Sequence, residues 1–371
     1  SASSDAITLA NDGTCTANLT NPRSFRNIVQ NGSFQVAQRG TTSTASGIQT
    51  MDRWGSGYAA DNDITQSQHP LTSSDTGPWE KGFRYSYHLL NGDTVAAGVS
   101  RCEFNHPIEA QHISQSGWDY TSASSYLTLS YWIKTSVANN FNHYVMTIDG
   151  TMKRWTWETG TISANTWTKI TKKIPGNANI QIDTDNGEGF RINLAAYHGT
   201  SYTDNSVNNE TWENWSSGAR TKDNSTTWWT TDGATYEITG VQLEVGSVAT
   251  DFEHRSYAQE LALCERYFQN ITVGSAYICN CMYYTGSIVT GIVQFKTPMR
   301  TTPTLYQYTT TNGYVVYRAN GSEQFNSFTD ITGAHKDGTG IYKSGLSGTQ
   351  GHAGGFHGGQ SSSHIAVQAE L

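Results

Sequence analysis

The sequence predicts an all-β protein, a jelly-roll β-sandwich followed by a short helix and a second, C-terminal β domain. Three observations carry that expectation. Only 15% of the 371 residues are charged while 12% are aromatic. With abundant Gly, Ser, Thr and Asn, this is the composition that short strands and tight turns need. Apolar and polar residues alternate in run after run, with turn signals between them. Helical spacing is sustained in one stretch, "ATDFEHRSYAQELALCERYFQ", residues 249–269.

Residues 1–26 read as a lead-in segment. "DAITLANDGTCTANLT" alternates around an Asn-Asp-Gly turn, as a small hairpin does. The chain begins on a polar run, so no signal peptide is expected at this end. Residues 27–254 read as the sandwich, with strands in "YLTLSYWIKTS", "YVMTIDG", "WTKITKKI", "NIQIDTD", "FRINLAAY" and "YEITGVQLEV". Alternation places Leu127, Leu129, Tyr131 and Ile133 on one face, as a half-buried antiparallel strand requires.

Residues 255–269 read as a linking helix. Ser256 and Gln259 are spaced as a capping box. Tyr257, Leu261, Cys264 and Phe268 form one apolar stripe, widened by Leu263 and Tyr267, which leaves Glu260, Glu265 and Arg266 for solvent. Residues 270–371 read as the second β domain, with strands in "SIVTGIVQF", "TLYQYTT", "GYVVYRA" and "SHIAVQAEL". The boundary rests on composition: all eleven tryptophans lie between Trp54 and Trp229, and glycine thickens over 338–359.

Several functions are disfavoured. A net charge of −8 argues against nucleic-acid binding, which needs a basic face. No apolar run approaches the ~20 residues of a membrane span. Five scattered cysteines make no disulfide scaffold, and the C-x-C of Cys279 and Cys281 makes no zinc site. There is no P-loop, G-x-S-x-G, H-E-x-x-H or dinucleotide fingerprint, so a non-enzymatic protein is expected. A paired-carboxylate glycosidase, whose acids need only meet in space, is the enzymatic alternative.

The candidate ligand-binding residues fall in two groups. Trp155 and Trp157 are two apart on one strand beside Glu158; exposed, they would form a platform for a sugar ring, and buried they fill the core. Trp54, Trp132 and Trp167 read as core. The polar loop 203–233, with Trp212, Trp215, Trp228 and Trp229, reads as a cap over an open sheet end or a neighbouring subunit. In the C-terminal part, Tyr306, Tyr308, Tyr314, Tyr317, His352, Phe356 and His357 could supply contact chemistry, with a mobile glycine-rich surface loop as the alternative. His335 and His364 add to a possible metal site on a three-fold axis. No cofactor is expected, although Asp183, Asp185 and Glu188 in "DTDNGEG" could offer oxygen ligands to a structural calcium; an Asx-rich turn is the alternative reading.

"ITGVQLEVGSVATDFEHRSYAQELALCERYFQ" (238–269) resembles a junction in bacteriophage tail-fibre and related virion proteins. "NIVQNGSFQVAQRG" with "MDRW", "LTLSYWIKTS", "IPGNANIQIDTDNGEGFRINLAAYHGTSY", "FKTPMRTTPTL" and the terminal "AEL" are similar in the same order. The resemblance implies a carbohydrate-binding-module-like jelly roll ahead of a variable tip. It also implies a homotrimer on the virion, joined to other tail proteins through its N-terminal segment and contacting a host-surface glycan. Beyond Leu305 only the terminal "AEL" takes part in the resemblance. A decoration or adaptor protein without receptor binding, and a polysaccharide depolymerase, are the alternatives.

Overall fold

The structure, a computed structural model, describes residues 7–9, 15–17, 25–59, 63–92, 95 and 97–371. Antiparallel strands dominate it, as the composition requires; the described helices are Ala110–Ser114, Tyr257–Glu265 and one 3-10 turn at Trp79–Lys81. Two compact units result, residues 1–35 with 41–254 and residues 36–40 with 255–371. In the lead-in, Ile7–Leu9 pairs with Cys15–Ala17; the Asn-Asp-Gly turn between them lies outside the described residues.

The first unit contains two six-stranded sheets. The first sheet runs, in order, Trp212–Asn214, Lys153–Ile162, Asn139–Thr147, Glu188–His198, Arg101–Glu109 and Gly55–Ala59. The second runs Thr168–Pro175, Tyr126–Thr135, Thr235–Val245, Tyr85–Leu90, Thr65–Pro70 and Thr42–Ser43. The chain passes repeatedly from one sheet to the other, the jelly-roll manner of closing a sandwich.

Leu127, Leu129, Tyr131 and Ile133 are all fully buried between the sheets. The core is not wholly apolar. His143 of the first sheet sits between the hydroxyls of Tyr131 at 2.7 Å and Tyr236 at 2.8 Å, both from the second. Burial pushes the His143 pKa down to about 3, so the ring is neutral and offers one donor and one acceptor to the two phenols.

"NIQIDTD" forms no strand. Ile180 and Ile182 are buried as alternation suggests, but the Asp183 amide donates to the Asp149 carboxylate at 2.9 Å in place of a ladder partner. Trp54 is a core residue. Trp132 and Trp167 are half-buried instead; they alternate out of register with Leu127–Ile133 and stand on the outer face of the second sheet. The segments around Asn27 and Glu253 tie this unit's ends together. The Glu253 carboxylate accepts the amides of Arg26 and Asn27 at 3.0 and 2.9 Å, and the Asn27 side chain clamps Val241 and Leu243.

The second unit holds a three-stranded sheet, Phe268–Val273, His364–Gln368 and Thr304–Gln307. Its other sheet has seven strands, in the order Gly321–Phe325, Tyr314–Arg318, Ala353–Gly358, Tyr277–Tyr283, Ile288–Gln294, Gly338–Ser344 and Asp330–His335. Tyr283, Tyr314, Val316, Phe325, Phe328, Ile341 and Phe356 form its core. Residues 36–40 belong here: Arg39 lies 3.7 Å over the Phe268 ring and pairs with Glu370 at 2.9 Å.

The helix Tyr257–Glu265 carries the expected capping box, Ser256 with Gln259. Its faces differ from the expected ones. Tyr257 is 55% exposed, whereas Glu260 and Glu265 are buried, because Arg255 and Lys296 neutralise them at 3.4 and 3.2 Å. Phe268 lies beyond the helix end and opens a strand.

Candidate functional site

A group of exposed aromatic residues stands on the outer face of the seven-stranded sheet. Tyr317 lies opposite Gly355, and His357 lies opposite both Val315 and Tyr277. The Tyr277 and His357 rings meet edge to face at 4.8 Å between centroids. Tyr317 reaches the same imidazole at 5.5 Å and lies 6.4 Å from Tyr277. Tyr277 is 72% exposed and Tyr317 42%.

Glycine makes this arrangement possible. A Cβ at Gly354 would lie 2.4 Å from the Tyr317 carbonyl oxygen, so a side chain there would force the strands apart. At Gly355 a Cβ would touch the Tyr277 ring at 3.4 Å, which places that ring across the glycine strand. The face continues in exposed Met282 and Ile292. Ile292 borders a shallow recess of about 530 Å³ with Gln294, Thr332 and His335.

Such a face suits a sugar. Two open phenol rings present apolar area to the C–H face of a pyranose, while their hydroxyls can exchange hydrogen bonds with its hydroxyl groups. The His357 Nδ1 is itself buried and has no hydrogen-bond partner among the described residues, so the hydroxyls of Tyr277 and Tyr317 are the open polar groups of this face. Cys279 and Cys281 on the neighbouring strand are no nucleophiles, since burial pushes their thiols up to about 11 and about 12.

Of the seven C-terminal candidates, Tyr317 and His357 come together here. Phe356 and Tyr314 are fully buried instead: Phe356 packs on Phe325 and Phe328, and the Tyr314 hydroxyl donates to the His364 carbonyl at 2.7 Å. Tyr306 packs on Phe268 and His364. Tyr308 is partly exposed, but its hydroxyl is tethered to the Arg39 carbonyl at 3.2 Å. His352 is exposed in the turn before the strand. Tyr277 escaped sequence reasoning for an identifiable reason. Alternation from buried Cys281 and Tyr283 points it inward, and the register shift between Tyr277 and Cys279 turns it out.

The first-unit candidates are placed differently. Trp155 and Trp157 are 2% and 0% exposed and form no surface platform. Trp157 donates its indole N–H to the Tyr131 hydroxyl at 3.1 Å inside the sandwich. Glu158 points to the opposite face, as the next residue on a strand must, and accepts from Asn140 and Asn209. The loop 203–233 lies against this strand through Thr156 and Asn209, and Trp228 and Trp229 are fully buried within their own chain.

Behind the loop, Glu103 accepts from His198 at 3.0 Å, Arg220 at 3.1 Å and Arg101 at 3.3 Å. Burial alone would raise its pKa, but the His198 hydrogen bond and these charges hold it down at about 2, so it is a fixed anion and no proton donor. Asn193 on this face is 2% exposed, too enclosed for a ring to reach.

Glu188 turns to Arg191, and Asp185 caps the Gly187 amide at 2.8 Å. Among the described residues no three acidic, His or Cys side chains converge as metal ligands, which also holds for the histidines of the C-terminal unit. Cys102, Cys264, Cys279 and Cys281 are free thiols. No helix of the described residues is long and apolar enough to cross a membrane.

No family model matches the sequence, and no curated protein matches it. Solved structures are similar at a distance. The enzymatically active domain of bacteriophage CBA120 tailspike protein 4 is 13% identical, with 60% of this chain and 22% of that chain covered at a TM-score of 0.32. The family 11 carbohydrate-binding module of a cellulosomal cellulase of Clostridium thermocellum is 12% identical, covering 58% of this chain and 98% of that one at 0.26. The N-terminal cellulose-binding domain of Cellulomonas fimi β-1,4-glucanase C is 8% identical, covering 58% and 99% at 0.29. At these scores the likenesses carry no argument about ligand or activity.

Proposed function

We propose that this protein attaches to a cell-surface glycan through the outer face of its C-terminal sheet, as a non-enzymatic virion appendage of the tail-fibre kind. The observation that carries the reading is the Tyr277–His357–Tyr317 cluster. Three rings sit in mutual contact, with both tyrosines open to solvent. An exposed aromatic group of this kind costs free energy to leave in water and marks an interaction surface.

The tail-fibre assignment is supported by the recurrent segments from 27 to 305. Residues of those segments and of the terminal "AEL" fasten the units: Glu253 accepts from Asn27, and Arg39 pairs with Glu370. A homotrimer fits the reading, since three weak sites on one particle add through effective concentration.

The test is glycan-array and cell binding by the full chain and by the Tyr277→Ala/Tyr317→Ala variant. Loss of binding with an unchanged circular dichroism spectrum is expected. Equal binding by the two proteins overturns the site. Light scattering should give about three times the 40.7 kDa of one chain; a monomer would remove the trimeric fibre.

A further inference from the structure

The first unit carries a cavity that the proposed attachment face does not use. It is a recess of about 500 Å³ on the outer face of the second sheet, within the range of small-ligand sites. Its wall is the half-buried Trp132, brought there by the alternation that buries Tyr131 and Ile133 on the other side. Its other aromatic side is the half-buried Phe252, whose ring meets that of the buried Phe83 behind it edge to face at 4.8 Å.

Phe252, Asp251 and His254 come from the "ATDFEHR" run, and the His254 ring lies 4.9 Å from Phe252 and 5.2 Å from Phe83. Glu253 holds Arg26 and Asn27, and His254 meets the Lys81 carbonyl at 2.8 Å. Gly240 lies beneath Phe83 at φ +63, where a Cβ would stand 2.6 Å from the ring, so the aromatic floor depends on that glycine.

The rim decides the ligand class. The polar lining of the recess is Lys81, Lys169, Glu80, Asp251, Ser130 and His254. Two cations against two anions give no net pull on an ion of either sign. They do supply both acceptors and donors, which suits hydroxyl groups. Flat aromatic walls with such a rim match a ring that is apolar on its faces and hydroxylated at its edge.

We infer that this recess is a second carbohydrate site, taking a neutral pyranose between Trp132 and Phe252. It extends the proposed attachment function, and its location in the first unit makes the two separable by experiment. Binding here would be independent of the Tyr277 cluster.

The experiment titrates the full chain with neutral methyl glycosides and disaccharides of glucose, galactose and N-acetylglucosamine. The readout is the Trp132 indole N–H signal, identified by its absence in Trp132→Phe. A saturable shift with at least one probe is expected, weakened roughly three- to tenfold in Lys169→Met, the loss of about one hydrogen bond. Lys169 is exposed on its strand, so that variant folds without repacking. Tyr277→Ala should leave the titration unchanged. A Trp132 signal that no probe moves, equal affinity in Lys169→Met, or tighter binding of a glucuronate than of glucose would each overturn the inference. A moving Trp132 signal together with unimpaired attachment by the tyrosine variant would overturn the attachment face and leave this site standing.

Discussion

In the first unit, Trp54, Trp155, Trp157, Trp228 and Trp229 are enclosed to 2% exposure or less. In the second, which has no tryptophan, Tyr257, Tyr277, Tyr284, Tyr308 and Tyr317 stand 42% exposed or more. The unit richer in aromatics therefore shows fewer of them. In a two-sheet sandwich with both outer faces partly covered, large rings fill volume and find hydrogen-bond partners, as Trp157 does at Tyr131. In the glycine-rich unit the strand between Tyr277 and Tyr317 has glycine at 354, 355 and 358, which leaves little side chain to cover the two rings, and they stay open. Aromatic content alone is thus a poor guide to a ligand face; the neighbours on the adjacent strands decide.

The sharpest way to break this comparison is to truncate a buried ring. Trp157→Ala should destabilise the first unit by about 3–5 kcal/mol, the cost of a large cavity plus the lost hydrogen bond to the Tyr131 hydroxyl, which keeps its bond to His143. Urea unfolding followed by tryptophan emission reads this unit selectively, because every tryptophan lies within it. A cost below about 1 kcal/mol would mean that the ring is not enclosed.

Next in size is the exposed side. Each of Tyr277→Ala and Tyr317→Ala should weaken glycan binding by about 0.5–1.5 kcal/mol, so the pair loses roughly tenfold or more. Neither should move the unfolding midpoint appreciably, because nothing is left buried and unpaired. A large loss of stability in Tyr277→Ala would convert the cluster from a ligand face into a structural one.

Much of this difference was readable in the sequence and part was not. Alternation identified the inward row Leu127–Ile133, and the Ser256–Gln259 spacing identified the helix cap, because both are local signals. Both-sided burial was not readable. Trp157 is closed by Tyr131 of the other sheet, and the opposite face of its strand, at Thr156, by Asn209, more than fifty residues on; neither cover is a local signal, so Trp155 and Trp157 have two readings in the sequence. The helix stripe failed for a related reason: Glu260 and Glu265 are buried by cations from Arg255 and Lys296, and charge pairing across a fold leaves no periodicity. Tyr317 and His357 were named from composition, but Tyr277 depends on a one-residue register shift that reverses its side.

Acid should separate the units by a smaller margin. His143 and His88 are held neutral in the fold, with pKa values pushed by burial down to about 3 and about 4, and His106 is lowered as well. The unfolded chain binds these protons near 6.5. Their contribution is therefore complete above pH 6.5 and is lost as the pH falls toward 4 and then 3. Glu103, held at about 2, adds to the loss below its ordinary 4.5. In the second unit His364, lowered to about 4, is the corresponding group. Tryptophan emission should report a falling urea midpoint between pH 6.5 and 4, with a smaller fall in tyrosine-detected unfolding of the second unit. Equal slopes would break the distinction.

The smallest expected effect is that of chelation. Asp149, Asp183, Asp185 and Glu188 lie near one another, and Asp149 is raised by burial and by repulsion from the other three. A cation there would relieve that repulsion and stabilise the first unit alone. The turn has other means of holding its shape. Glu188 is neutralised by Arg191, Asp185 accepts the Gly187 amide, and Asp149 accepts the Asp183 amide. Backbone donors and one guanidinium therefore do what a calcium ion would do, and the side chains do not converge on one point. Chelator should leave the tryptophan-detected melting midpoint of the first unit unchanged, with no recovery to be had from added calcium. A fall of several degrees, reversed by calcium and absent from the second unit, would show that the four carboxylates share an ion and that the turn is set by metal.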